Sequence, residues 1–136
     1  MTEFDMAPVA EIHLARVDMA RDDLDQARVR LEQAPNLMTV GPIITRLHFE
    51  HLAELQIWQG RPDEALSTVR AGLDHVHELG QVMFSGRLLV HGMRACADSA
   101  DRARAARADA TLMRALDVAR ELRTWVSSMQ PDPVDP

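Results

Sequence analysis

Residues 43–78 read IITRLHFEHLAELQIWQGRPDEALSTVRAGLDHVHE, and this stretch decides the fold. Its first half carries Ile43, Ile44, Leu47, Phe49, Leu52, Ala53, Leu55, Ile57 and Trp58 nearly all the way round a helix. Only a narrow strip through Arg46, Glu50 and Glu54 is polar. A helix apolar on most of its circumference is covered on several sides. Gly60-Arg61-Pro62 then breaks the pattern. Pro62 suits a first helical turn, where its missing N–H is not needed. Asp63 and Glu64 fall in that same turn, where the helix dipole favours negative charge. Ala65, Val69, Gly72 and Val76 recur on one face of the helix that follows. The stretch is therefore a helical hairpin, with period-3.6 patterning and no sustained alternation of period two.

The same grammar extends outward in both directions. Arg21-Asp22-Asp23, Pro35-Asn36, Gly41-Pro42, Gly80 and the run 97–101 punctuate the chain. They predict six helices, over about 7–20, 23–34, 43–59, 62–78, 82–98 and 102–127. Leu24, Ala27, Leu31 and Ala34 form the stripe of the second; Leu112, Leu116, Ala119, Leu122 and Val126 form the seam of the last. Helices one and three are expected to lie inside, with two, four and six as outer covers. Residues 1–130 are read as one all-α domain and 131–136, PDPVDP, as a disordered tail. The paired carboxylates Asp22/Asp23 and Asp63/Glu64 stand at helix starts, where capping accounts for them.

An internal repeat supports the hairpin reading. Displaced by 38 positions, residues 9–34 fall on 47–72. His13, Leu14, Ala15, Asp25 and Ala27 then meet His51, Leu52, Ala53, Asp63 and Ala65 as identities. Val17/Leu55, Met19/Ile57, Leu31/Val69 and Ala34/Gly72 agree in character. Small residues at Ala15/Ala53 and Ala27/Ala65 let paired helices approach closely. Units that bury a face only against their neighbours give stacked hairpin arrays.

LAELQIWQGRPDEALSTVRAGL, residues 52–73, resembles a tetratricopeptide repeat, with Leu52-Ala53, Gly60, Ala65 and Gly72 on the motif's small and apolar positions. LARVDMARDDLDQARVRLEQA, residues 14–34, is a second copy. The repeat length of 38 exceeds the usual 34. Asp18 and Gln56 hold the usual Tyr positions, and no Pro closes a unit. Ile57–Ala65, the following GLDH helix and the Arg/Ala-rich run GMRACADSADRARAARADA at 92–110 further resemble the helical-repeat region of large ATP-dependent LuxR-type transcriptional regulators. That resemblance, over about residues 10–125, implies a right-handed superhelix of stacked antiparallel hairpins. It also implies a non-catalytic interaction or sensor module, either the repeat portion of such a regulator or a stand-alone relative. ATP and DNA binding carry over to no residue here, because the chain has no phosphate-loop motif and no Lys. The eight residues given after 128 are too few for a helix-turn-helix domain.

The 136 residues carry 46% hydrophobic and 26% charged side chains, the range of a soluble globular domain. No apolar run reaches the ~20 residues of a membrane span. The first residues, MTEFDMAPVAEIH, lack the basic and apolar segments of a signal peptide, so a cytoplasmic location is expected. Net charge is −6, which argues against a basic nucleic-acid grip. The Arg-rich segment 98–123 balances six Arg against Asp98, Asp101, Asp109, Asp117 and Glu121 and has no aromatic within its Arg run at 102–123 to stack on bases. His48 and His51 at i, i+3 lie near Glu50 and Glu54, a spacing that can hold a metal. No Cys or second His pair is placed to close a cage, and His75 and His77 point to different sides of their helix. Cys96, the single cysteine, lies in an Ala-rich helix with no base beside it and reads as a small buried thiol. No G-x-S-x-G elbow is present. No enzyme, cofactor or metal is expected.

The remaining candidate is the groove lined by the first helix of each hairpin. Its expected residues are Arg16 and Met19 in the first hairpin, Glu50, Glu54, Ile57 and Trp58 in the second, and Met93 in the third. Carboxylates beside Trp58 suit an Arg-containing peptide, a protein segment or a small polar effector. The alternative is a stand-alone helical protein that binds a small ligand or a metal. Apolar residues spread over several faces of the first helix, with Trp125-Val126 at the end of the last, predict self-association, most simply as a two-fold homodimer.

Overall fold

The computed structural model describes residues 6–33 and 41–128. Among them there are six α-helices and no strand: α1 (Ala7–Ala20), α2 (Leu24–Gln33), α3 (Pro42–Trp58), α4 (Pro62–Glu78), α5 (Gly86–Ala105) and α6 (Asp109–Ser128). None of these helices is long and apolar enough to cross a membrane. Ala34, Pro35-Asn36 and the 131–136 tail lie outside the described residues.

Pro8, Pro42 and Pro62 each stand in the first turn of a helix, where an N–H is dispensable. The start of α2 is fixed by Asp23, whose Oδ1 accepts from the Gln26 N–H at 3.2 Å, the geometry of an N-cap. Asp63 does not cap α4. Its Oδ1 accepts instead from Ser99 Oγ at 3.3 Å, across to α5.

Within each hairpin the turn is built in one way. The backbone enters the left-handed region at Asp22 (φ 61°), Gly60 (φ 72°) and Arg107 (φ 52°). The next residue's N–H then returns to the helix just ended: Asp23 to Asp18 O, Arg61 to Gln56 O and Ala108 to Ala103 O, at 2.8–2.9 Å. These bonds satisfy carbonyls that the helix end would leave open.

Two boundaries depart from the sequence reading. The fifth helix begins at Gly86, because Gly80 (φ 65°) ends α4 and Val82–Phe84 forms a 3-10 turn. It then continues through 97–101 to Ala105, so α6 begins at Asp109, not 102. Asp98 and Asp101 look like punctuation, yet no Gly or Pro accompanies them and Ala and Arg are strong helix formers. Ala95, Cys96, Ser99, Ala100 and Ala103 are buried along this part of α5.

Each helix packs against its chain neighbours. In addition, α1 packs beside α3 and α3 beside α5. The core falls into two clusters. One joins Ile12, Ala15 and Met19 of α1 with Ala27 and Leu31 of α2 and Leu55 of α3. The other joins Ala53 of α3, Ala65, Leu66, Val69, Leu73 and Val76 of α4, Leu88, Leu89, Ala95 and Cys96 of α5, and Leu122 of α6. Ala15, Ala27, Ala53 and Ala65 are fully buried, as close helix approach requires. The expectation that α4 is an outer cover does not hold. It lies between α3 and α5 and buries eight residues.

Candidate functional site

An open groove of about 670 Å³ lies between α3 and α5. Glu54, Ile57 and Trp58 line it from α3; Val90, His91, Arg94 and Asp98 line it from α5. Trp58 is 59% exposed, and Val90 is exposed beside it. One turn of α3 thus separates Glu54 and Trp58, which stand on one flank at i, i+4. Arg94 Nε is 3.1 Å from Asp98 Oδ1 on α5, so those two charges hold each other. Glu54 makes no ion pair among the described residues. Burial lowers the His91 pKa, while the Glu54 and Glu50 carboxylates pull it back up.

The expected groove residues divide. Glu54, Ile57 and Trp58 come together as anticipated from the repeat. Arg16 is exposed on α1, near enough to His51 to depress its pKa. Met19 does not line the groove. It is 4% exposed and packs in the core with Ala15 and Leu31, because it follows the buried face of α1. Glu50 is 1% exposed and bonds through Oε1 to Arg46 Nη1 at 2.6 Å. Its Oε2 and the Arg46 Nε are buried without a hydrogen-bond partner. The Arg46 guanidinium lies over the Phe84 ring, 5.6 Å from its centroid. Glu50 is thus an inner ion-pair residue of α3, not a groove wall. Met93 also stands elsewhere, over α6 with Leu116 and Ala119. Its one-position step from Gly92, which faces Val69 and Leu122, turns it away from α3.

Sequence reading missed Val90, His91, Arg94 and Asp98. The expected fifth helix, 82–98, already held all four, but Met93 was taken as its groove residue, and Met93 faces α6. On α5 those four fall at i, i+1, i+4 and i+8, one helical flank.

The histidines near Glu50 and Glu54 take other roles. His48 Nε2 donates to Leu31 O at 2.9 Å and so closes the open end of α2. His51 is buried, and its pKa falls to about 4 through burial and the nearby Arg16, His13, Arg87 and His91. His75 lies against Phe49 and His77 edge-on to Trp125. Among the described residues no three His, Cys, Asp or Glu side chains gather in a metal-holding group. Cys96 is buried, and burial raises its thiol pKa. Comparison with family models, with curated proteins and with solved structures finds no match for this chain.

Proposed function

We propose that this chain is a non-catalytic helical-repeat interaction module that takes an extended, Arg-containing peptide segment in the α3/α5 groove. The observation that carries this reading is the exposed Trp58 face beside Ile57 and Val90, with the unpaired Glu54 carboxylate one turn away. An exposed indole is costly to hold in water and attracts a cation placed over it, worth about 0.5–2 kcal/mol. Glu54 would receive the same guanidinium through charge-assisted hydrogen bonds.

A tetratricopeptide-like right-handed stack is the arrangement we propose for the hairpins. It is supported by the recurrent hairpin turn and by the packing of α1 on α3 and α3 on α5. The text at 52–73 and 92–110 supports placement as the repeat portion, or a stand-alone relative, of a cytoplasmic LuxR-type regulator. In that reading the chain contributes recognition and neither ATP hydrolysis nor DNA contact.

The test is peptide-library panning against the purified chain, followed by titration of the selected peptides against Trp58→Ala and Glu54→Gln. Arg-containing sequences whose affinity drops about tenfold or more in Trp58→Ala, and less in Glu54→Gln, are expected. Selected ligands indifferent to both changes would refute the groove. A small molecule found in the native mass spectrum, displaced by neither variant, would favour a stand-alone ligand-binding protein.

A further inference from the structure

By repeat register, the outer faces of α1 and α6 correspond to two faces that pack against neighbouring helices inside the molecule. On α4, Val69 and Gly72 are covered by α5: a Cβ on Gly72 would meet Leu88 at 3.0 Å, and one on Gly92 would meet Val69 at 3.0 Å. Counted from the left-handed turn residues Gly60 and Arg107, the equivalents of Val69, Gly72, Leu73 and Val76 are Leu116, Ala119, Arg120 and Arg123 on α6. These four, with Met93 and Val126, line an open and mostly apolar slot of about 340 Å³. It is the berth α5 fills on α4, left open on α6.

The other end offers what would fill it. Ile44, Leu47, Leu52 and Leu55 are the α3 residues that pack into the α1/α2 cluster. The 38-residue repeat places Met6, the N-cap of α1, and Val9, Leu14 and Val17 of α1 at their equivalents. There, Met6 is 56%, Leu14 41% and Val17 43% exposed. So α1 displays the face that α3 uses to dock, with nothing docked against it among the described residues.

Charge sets the polarity of the fit. Gly72, late in α4, meets Leu88, early in α5. A helix seated on α6 in the same manner brings its N-terminal half to Ala119–Val126, where Arg123 stands beside Arg120, which Asp117 already holds at 2.7 Å. The sequence just ahead of α1 supplies Glu3 and Asp5 and no Arg. We infer that copies of this chain associate head to tail, with the Met6/Leu14/Val17 face of α1 on one copy entering the α5/α6 slot of the next. Such a contact joins two different surfaces, so it closes into a ring or extends, unlike a two-fold pairing of like surfaces. It uses none of the Trp58 groove residues.

Two surface variants test this, Leu14→Glu with Val17→Glu on the α1 face, and Arg123→Glu with Val126→Glu in the slot. Sedimentation velocity of the parent chain should show mass rising above the 15.2 kDa monomer with concentration. Each variant alone, checked as folded by circular dichroism, should lose association by about tenfold or more. An equimolar mixture should regain a dimer, because each partner retains one intact half of the contact. A parent that stays monomeric at hundreds of micromolar overturns the inference and leaves the slot to a different polypeptide. Variants that abolish association but do not rescue one another overturn it in favour of a two-fold interface. Peptide binding measured through Trp58 should be the same in both variants, which keeps this result separate from the groove.

Discussion

His51 is 2% exposed and titrates near pH 4 when folded, against about 6.5 when unfolded. Between those values the unfolded chain holds more protons, so stability falls as pH drops. Burial depresses His48 and His91 in the same direction. We expect full stability above about pH 6.5 and a loss from His51 of about 2 kcal/mol by pH 5. Thermal melts across that window should show it, and His51→Gln should flatten the slope; parallel pH profiles for parent and variant would refute the assignment. Cys96 should resist thiol reagents until the chain is denatured, since its buried thiol stays protonated. The candidate site was only half legible at this scale. Glu54, Ile57 and Trp58 follow from the repeat and the apolar girth of α3. Met19 and Glu50 do not, because a one-residue rotation separates a groove wall from the core, and no periodicity resolves it. Glu50 breaks the rule that a polar strip faces water: its carboxylate is spent on Arg46.

Among the elements, the hairpins were legible because Gly and Pro mark their ends. The break between α5 and α6 was not, because it has neither. Arg107 adopts a left-handed backbone without glycine, and local text gives no sign of that. Arg107→Gly should therefore stabilise the chain, by about 1 kcal/mol, visible as a raised melting temperature; a lowered one would mean the Arg side chain contributes more than its backbone costs. Close helix contact sets the opposite sign elsewhere. Gly92 faces Leu122 and Val69 within 3.0 Å of any added Cβ, so Gly92→Leu should cost about 1–3 kcal/mol by overpacking. Ala65→Arg should cost more, since a guanidinium at a fully buried position is either unpaired or a wedge between α3 and α4. A melt of Ala65→Arg equal to the parent's would put the α3/α4 register in error.

Taken whole, the molecule has its two hydrophobic clusters meeting on one helix: Leu55 of α3 belongs to the first and Ala53 to the second. The first cluster is the smaller. Besides it, α1 and α2 are tied by Arg30, which bonds Asp18 at 2.6 Å and Glu11 at 2.9 Å. That cross-link holds the first hairpin to itself; among the described residues, the side-chain bond that holds it to α3 is His48 to the Leu31 carbonyl. The bonds that tie α5 and α6 back to the α3/α4 hairpin are Arg70 to Glu121, Ser99 to Asp63 and Arg102 to the Gly60 carbonyl. The chain should therefore unfold in stages, with α1 and α2 leaving as a unit while α3–α6 stay shut. Native-state amide hydrogen exchange reads this directly. Amides of α1 and α2 should share one low opening energy, and those of α4 and α5 should open only with the whole. The first hairpin thus works as a latch, and the helix it releases is the one that bears the exposed Leu14 and Val17.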